Sequence, residues 1–284
     1  MRIDVRGAML WFDVDGPGLV PDGSTMRARP TLLLLHGGPG SYDHSYLKPW
    51  FGVLTDVAQV VYLDLRDHGR SARGDAAAWS FEECADDLAA FCAALGIQRP
   101  VVLGHSMGGF VALLLAARHP GVAAGLILES TMARFDLDRL TEGFRRQGGD
   151  EVARLAQLDY SGDREVTDAE WARVFAAFGP HVPDAPTLAR RLRNPAVGET
   201  GMARMRRLDI RDQLRRITCP TLVSVGDRDP VTPLEAAREI VDGLAPGVGR
   251  LVVVRGAGHF PWLDDDVACF DAIRAFLLEV SPRG

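Results

Sequence analysis

The chain has 284 residues, 47% of them hydrophobic and 25% charged, with a net charge of −6 and an isoelectric point near 5.7. That length and balance suffice for a sizeable buried core, and they give no reason to expect polyanion binding: Lys48 is the only lysine, so nearly all positive charge is arginine. No stretch approaches the roughly 18 apolar residues of a membrane span, and the four scattered cysteines suggest neither a disulfide frame nor a zinc site; the expectation is a cytoplasmic protein without metal or cofactor and with no nucleic-acid or membrane partner.

In chain order, the amphipathic segments 2–6 and 9–14 read as an antiparallel hairpin at a sheet edge. Six later runs are apolar almost throughout: 31–36, 58–64, 100–105, 125–130, 220–227 and 250–256. Unbroken apolarity at that length predicts strands covered on both faces, as in a parallel sheet. Helical patterns lie between them. Segment 80–96 opens on Ser80 with Glu83 three places on, a capping box, and closes at Gly96. Segment 106–120 ends at Pro120, and 264–280 starts with an acidic turn suited to the helix dipole. The alternation predicts an α/β fold: a mostly parallel eight-stranded sheet with helices on both faces. It fails from about residue 132 to 216, where helical stretches and turn signals occur without a convincing strand. That segment, 132–216, is expected to be a helical lid after the sixth strand, dividing a core made of 1–131 and 217–284.

Ser106 sits in LGHSMGG, where an apolar strand gives way to a helix, with Gly104 and Gly108 two places to either side. A serine on so sharp a turn is strained, and the residues two before and two after must be small to avoid collision. Its hydroxyl then stands above the sheet at the positive end of a helix, which favours an anionic intermediate. A serine needs a base, and an imidazole base needs a carboxylate to fix its tautomer. His259, in a glycine-rich loop after the last strand, can supply the first; Asp227 or Asp229, just past the preceding strand, the second. All three loops leave the carboxyl ends of their strands, the edge where open α/β sheets bind ligands.

Five ordered motifs now make the chain resemble an α/β-hydrolase over essentially its whole length: HGGPG at 36–40, DLRDHGRS at 64–71, the GHSMGG elbow, GDRDPVTP and GHFPW. The resemblance implies a serine hydrolase with a catalytic triad of Ser106, His259 and Asp229, since the family's aspartate-to-proline spacing falls on Asp229. Glu129, at the end of the strand before the lid, is a third candidate acid. The resemblance also implies an oxyanion hole formed by the Gly38 and Met107 amides. His36 and His105 belong to motifs that the family uses structurally and are expected to hydrogen-bond loop backbone. Asp64, Arg66 and Arg70 are expected to tie loops together.

HGGPG with GHFPW is most similar to proline iminopeptidases, which take an N-terminal residue from a peptide, whereas GHSMGG is commoner among esterases, lactonases and C–C bond hydrolases. A small-molecule or short-peptide substrate follows in each case; a non-catalytic ligand receptor on the same scaffold is the remaining alternative. An aminopeptidase needs carboxylates to pair with a substrate ammonium, because an unpaired buried charge is costly. Glu142, Glu151, Glu165, Glu170 and Glu199 lie in the lid segment, where surface pairing with arginine is the default reading. Trp171, Phe175 and Phe178 recur at i, i+4 and i+7 and are expected to pack a lid helix on the body, or to line a substrate pocket.

Overall fold

The computed structural model describes residues 1–280. Strands β1 (Arg2–Val5) and β2 (Ala8–Asp15) form the expected edge hairpin. Its turn residues Arg6 and Gly7 both have positive φ, 52° and 76°, the two-residue geometry that matches strand twist. A second hairpin, β3 (Leu19–Asp22) and β4 (Thr25–Ala28), stands apart from the sheet. It is exposed along nearly its whole length and lacks a buried face, so hydrophobic periodicity carries no trace of it.

The six apolar runs become β5 (Thr31–Leu35), β6 (Gln59–Asp64), β7 (Val101–His105), β8 (Gly125–Glu129), β9 (Thr221–Gly226) and β10 (Gly249–Val254). The eight-stranded sheet has the order β1-β2-β6-β5-β7-β8-β9-β10, antiparallel at β1, β2 and β6 and parallel elsewhere. Residues of β7, β8 and β9 are buried in succession, so both faces of the sheet's middle are covered. The chain leaves β5 for β6 on one side, and leaves β7 for β8 on the other. The loops after β5 and β7 therefore diverge and open a crevice at the carboxyl edge, the switch point of such a sheet.

The helices of this frame are α1 (Lys48–Phe51), α2 (Phe81–Leu95) and α3 (Met107–Arg118). Only half of the expected capping box forms on α2: Ser80 accepts from the Glu83 amide at 3.1 Å, but the Glu83 carboxylate turns to Arg6, 3.1 Å away. Between β8 and β9, in place of strands, come α4 (Leu137–Ser161), interrupted at Gly149, then α5 (Asp168–Ala176), α6 (Ala185–Ala189) and α7 (Pro195–Met205). A single bridge between Arg134 and Asp209 pins the two ends of this helical segment together. After it, α8 (Leu234–Gly243) joins β9 to β10, and α9 (Pro261–Asp264) and α10 (Asp266–Val280) follow. The helix expected over 264–280 is α10, which starts two residues later than expected: Asp265, at φ −146°, ends the short α9 and turns its carboxylate to the Ala268 amide in the first turn of α10. No described helix is long and apolar enough to cross a membrane.

Candidate active site

Ser106 lies between β7 and α3 with φ 53° and ψ −117°, a conformation that side chains rarely adopt. The glycines around it are required by contact. A Cβ on Gly104 would come 2.3 Å from the Gly108 carbonyl oxygen, and one on Gly108 would come 2.4 Å from that of Leu35. The elbow is held from outside as well: the Ser106 amide donates to the Glu129 carbonyl at 2.9 Å, and the Thr131 hydroxyl to the Ser106 carbonyl at 2.8 Å.

Of the candidate acids, it is Asp229 that the fold brings to the histidine. His259 Nδ1 lies 2.9 Å from Asp229 Oδ2 and 3.1 Å from Oδ1. Burial pushes the Asp229 carboxyl up, but the His259 ring, the Thr232 hydroxyl and main-chain donors outweigh it and hold the group below its ordinary value. Asp227 instead accepts the Gly256 amide in an exposed turn. Glu129 is fully buried and takes the Cys269 thiol at 3.0 Å.

Three other histidines fasten the loops around Ser106, and each does so as a neutral ring. His36 bridges the Gly37 carbonyl (2.7 Å) and the Leu65 amide (3.2 Å). His68 accepts the Gly40 amide at 2.9 Å and donates to the Arg66 carbonyl at 2.8 Å. His105 meets the Tyr46 hydroxyl at Nδ1 (2.7 Å) and the His259 carbonyl at Nε2 (2.9 Å). Burial pushes His68 and His105 down to about 3 and lowers His36 too, so none gains a proton near neutrality. The expected ties of DLRDHGRS are also present: Arg66 holds Asp87 in a fork at 2.6 and 2.7 Å, and Asp64 accepts the His44 and Arg70 amides. Asp43, His44 and Asp64 converge closely enough to suggest a metal cage. Their donors are already committed, with Asp43 taking the Ser45 and Leu192 amides and Asp64 the His44 ring.

The HGGPG loop abuts the elbow, for a Cβ on Gly37 would lie 3.4 Å from Ser106 Cβ and one on Gly38 would lie 3.5 Å from Met107 Cε. Ser106, His259, Gly37, Gly38 and Gly40 line one cavity of about 580 Å³, roofed by the helical segment. Of the aromatic stripe, Trp171 and Phe178 stand in its wall. Phe178, however, lies beyond the end of α5, where its ring meets His259 edge-on at 5.5 Å. Phe175 is not a wall residue; it packs on Phe178 and Phe260. Among the acids of the segment, Glu142, Glu151 and Glu170 pair with Arg145, Arg173 and Arg164. Glu165 and Glu199 face the cavity, joined by Asp159 and Asp168, which sequence spacing did not single out.

Residues 30–266 match the family described as alpha/beta hydrolase fold. The chain is 24% identical to the proline iminopeptidase PfmaB of Pestalotiopsis fici, covering 97% of this chain and 98% of that one. It is 29% identical to a pimeloyl-[acyl-carrier protein] methyl ester esterase of Neisseria meningitidis, covering 87% and 76%. The crystal structure of a proline iminopeptidase from Mycobacterium smegmatis superposes with a TM-score of 0.78 at 22% identity, over 99% of this chain and 98% of that one, a likeness of fold. The chain belongs to the alpha/beta hydrolase fold family, and it is a hydrolase.

Proposed function

We propose that the protein is a serine hydrolase that cleaves an ester or amide bond of a small substrate through an acyl-enzyme, and that it is an aminopeptidase of the proline iminopeptidase type. The observation that carries the reading is the shared cavity, which a strained serine and an Asp229-bonded imidazole both line. His259 takes the Ser106 proton as the oxygen attacks the carbonyl, and the resulting imidazolium is steadied by Asp229. The Gly38 and Met107 amides receive the oxyanion. His259 then protonates the departing amine or alcohol, and water repeats the sequence on the ester, releasing the acid and restoring the hydroxyl.

The charge of the wall supports an amine-bearing substrate. Asp159, Glu165, Asp168 and Glu199 have no ion-pair partner among the described residues. Burial pushes the Asp159 carboxyl up, which a substrate ammonium would reverse. Of the four wall arginines, Arg164 is neutralised by Glu170, whereas Arg191 and Arg206 are held by neutral main-chain carbonyls and keep their charge, as does Arg193, so the amine subsite of this reading lies at the Asp159, Glu165 and Asp168 side of the wall. The helical segment thereby acts as the lid that selects the substrate.

Labelling by a fluorophosphonate, abolished in Ser106→Ala, tests the chemistry, and turnover should fall by roughly 10⁴- to 10⁶-fold in that variant. Wild-type activity in Ser106→Ala would refute the mechanism. Proline p-nitroanilide should be cleaved and its N-acetyl analogue spared, with Asp159→Asn raising KM for the free amine alone. The reverse preference, short acyl esters turned over and free amines ignored, would make the protein an esterase.

A further inference from the structure

We propose that Asp264 is a positioning residue that locks the helical segment to the loop carrying His259, so that the placement of the segment sets the placement of the imidazole. This rests on the serine-hydrolase reading above.

Of two consecutive amides of the histidine loop, one bonds the helical segment directly and the other bonds Asp264 at the end of α9. The His259 amide donates to the Phe178 carbonyl at 2.7 Å. The Gly258 amide donates to Asp264 Oδ2 at 2.8 Å, while the other oxygen of the same carboxylate accepts the His181 amide at 3.0 Å and meets His181 Nδ1 at 2.8 Å. One carboxylate, 5% exposed, therefore spans the seam with three N–H groups, one from the catalytic loop and two from residue 181. A carboxylate that accepts several main-chain amides forms strong, directional bonds.

Beside this clamp the two backbones touch. A Cβ on Gly258 would lie 2.2 Å from Gly179 Cα, and one on Gly179 would lie 2.7 Å from Gly258 Cα. Segment 178–181 cannot move toward the loop, and the Asp264 bonds keep it from moving away. The opposite side of His259 is fixed too, because its carbonyl accepts from His105. With elbow on one side and helical segment on the other, the imidazole has one backbone position. Removing Asp264 frees the second side while leaving Ser106, His259 and Asp229 in place.

The test compares Asp264→Ala with Asp265→Ala, the neighbouring residue whose carboxylate caps α10 through Ala268 and touches nothing in the seam. In Asp264→Ala, the rate of fluorophosphonate labelling and kcat for p-nitrophenyl acetate should both fall by about 10- to 100-fold, the order expected for a misplaced catalytic group. KM should change little, and Asp264→Asn, which keeps one acceptor oxygen, should fall between. Asp265→Ala should label and turn over like the wild type. Equal losses in the two alanine variants, or an unimpaired Asp264→Ala, would overturn the proposal. If Asp264→Ala fails to fold, the intermediate loss of labelling rate and kcat in Asp264→Asn, against an unimpaired Asp265→Ala, carries the test. The imidazole N–H signal of His259 in the proton spectrum gives a readout independent of catalysis: it should broaden or vanish in Asp264→Ala only. A wild-type protein that is never labelled yet shows that spectral change would remove the hydrolase mechanism and leave the clamp.

Discussion

Glu129 makes the stability of this fold depend on pH with a sign opposite to that of most carboxylates. It ends β8, is fully buried, receives one weak donor from Cys269, and leaves Oε2 without a partner. Burial pushes its carboxyl up to about 7 from an ordinary 4.5. The folded state then holds the proton more tightly than the unfolded chain. The stabilisation is complete below the unfolded value, declines as pH rises, and is gone above the folded value. The span between 4.5 and about 7 corresponds to roughly 3 kcal/mol at about 1.4 kcal/mol per unit.

Replacing Glu129 with Gln removes the titration and keeps the size. Urea denaturation of both proteins between pH 4.5 and 8.5 should give curves that diverge by about 3 kcal/mol, with Glu129→Gln gaining relative stability as pH rises from 4.5 to about 7. The gain should level off above about pH 8, once the folded-state group is fully ionised. Two pH profiles that run parallel would refute the reasoning, since they would mean that the buried carboxyl finds compensation for its charge.

The other predictions concern the elbow and its supports. Gly104→Ala forces a Cβ to within 2.3 Å of main chain and should cost about 3 kcal/mol or prevent folding. Gly121→Ala, at φ 88° with open space around it, should cost only about 1 kcal/mol in the same urea assay. Tyr46→Phe strips the partner from the Gly37 amide and from His105 Nδ1, and should cost about 1 to 3 kcal/mol by denaturation. The same variant lets the His105 ring change tautomer beneath the His259 carbonyl, so kcat should fall by about tenfold while KM holds; an unchanged kcat would disconnect the relay from catalysis.

Most of the frame was legible because its signals are local. The six apolar runs are strands because a strand buried on both faces cannot alternate, and Gly104, Ser106 and Gly108 announce the elbow because steric need is confined to five residues. What was lost lacked a local signature. The β3–β4 hairpin buries no face, and α9 is a single turn too short to show a period. Phe178 fits the spacing of α5 but lies past its end, where the main chain is needed as an acceptor for His259. Asp43, His44 and Asp64 meet only because β5 and β6 are neighbours.

The least legible feature is the way the helical segment sits on the core, since it depends on pairs of glycines and prolines far apart in the chain. A Cβ on Gly40 would strike the Gly198 amide at 2.4 Å, one on Gly201 would strike Pro39 at 2.4 Å, and one on Gly143 would strike the Pro230 carbonyl at 2.4 Å. Read singly, each of these glycines is an ordinary turn or a weak point in a helix. In pairs, they let backbone approach backbone at Gly40 and Gly143 and the rigid Pro39 ring at Gly201, so the segment is seated by contacts that a single methyl group would break. Such seating is stiff because main chain has no rotamers with which to yield, whereas a seam of side chains could repack. The Asn194 amide, which donates to the Gly40 carbonyl at 2.8 Å beside that contact, adds direction to the stiffness. A segment docked in this way transmits its position to the HGGPG loop at one end and to His259 at the other, which is why glycines with no chemistry of their own belong to the machinery of the site.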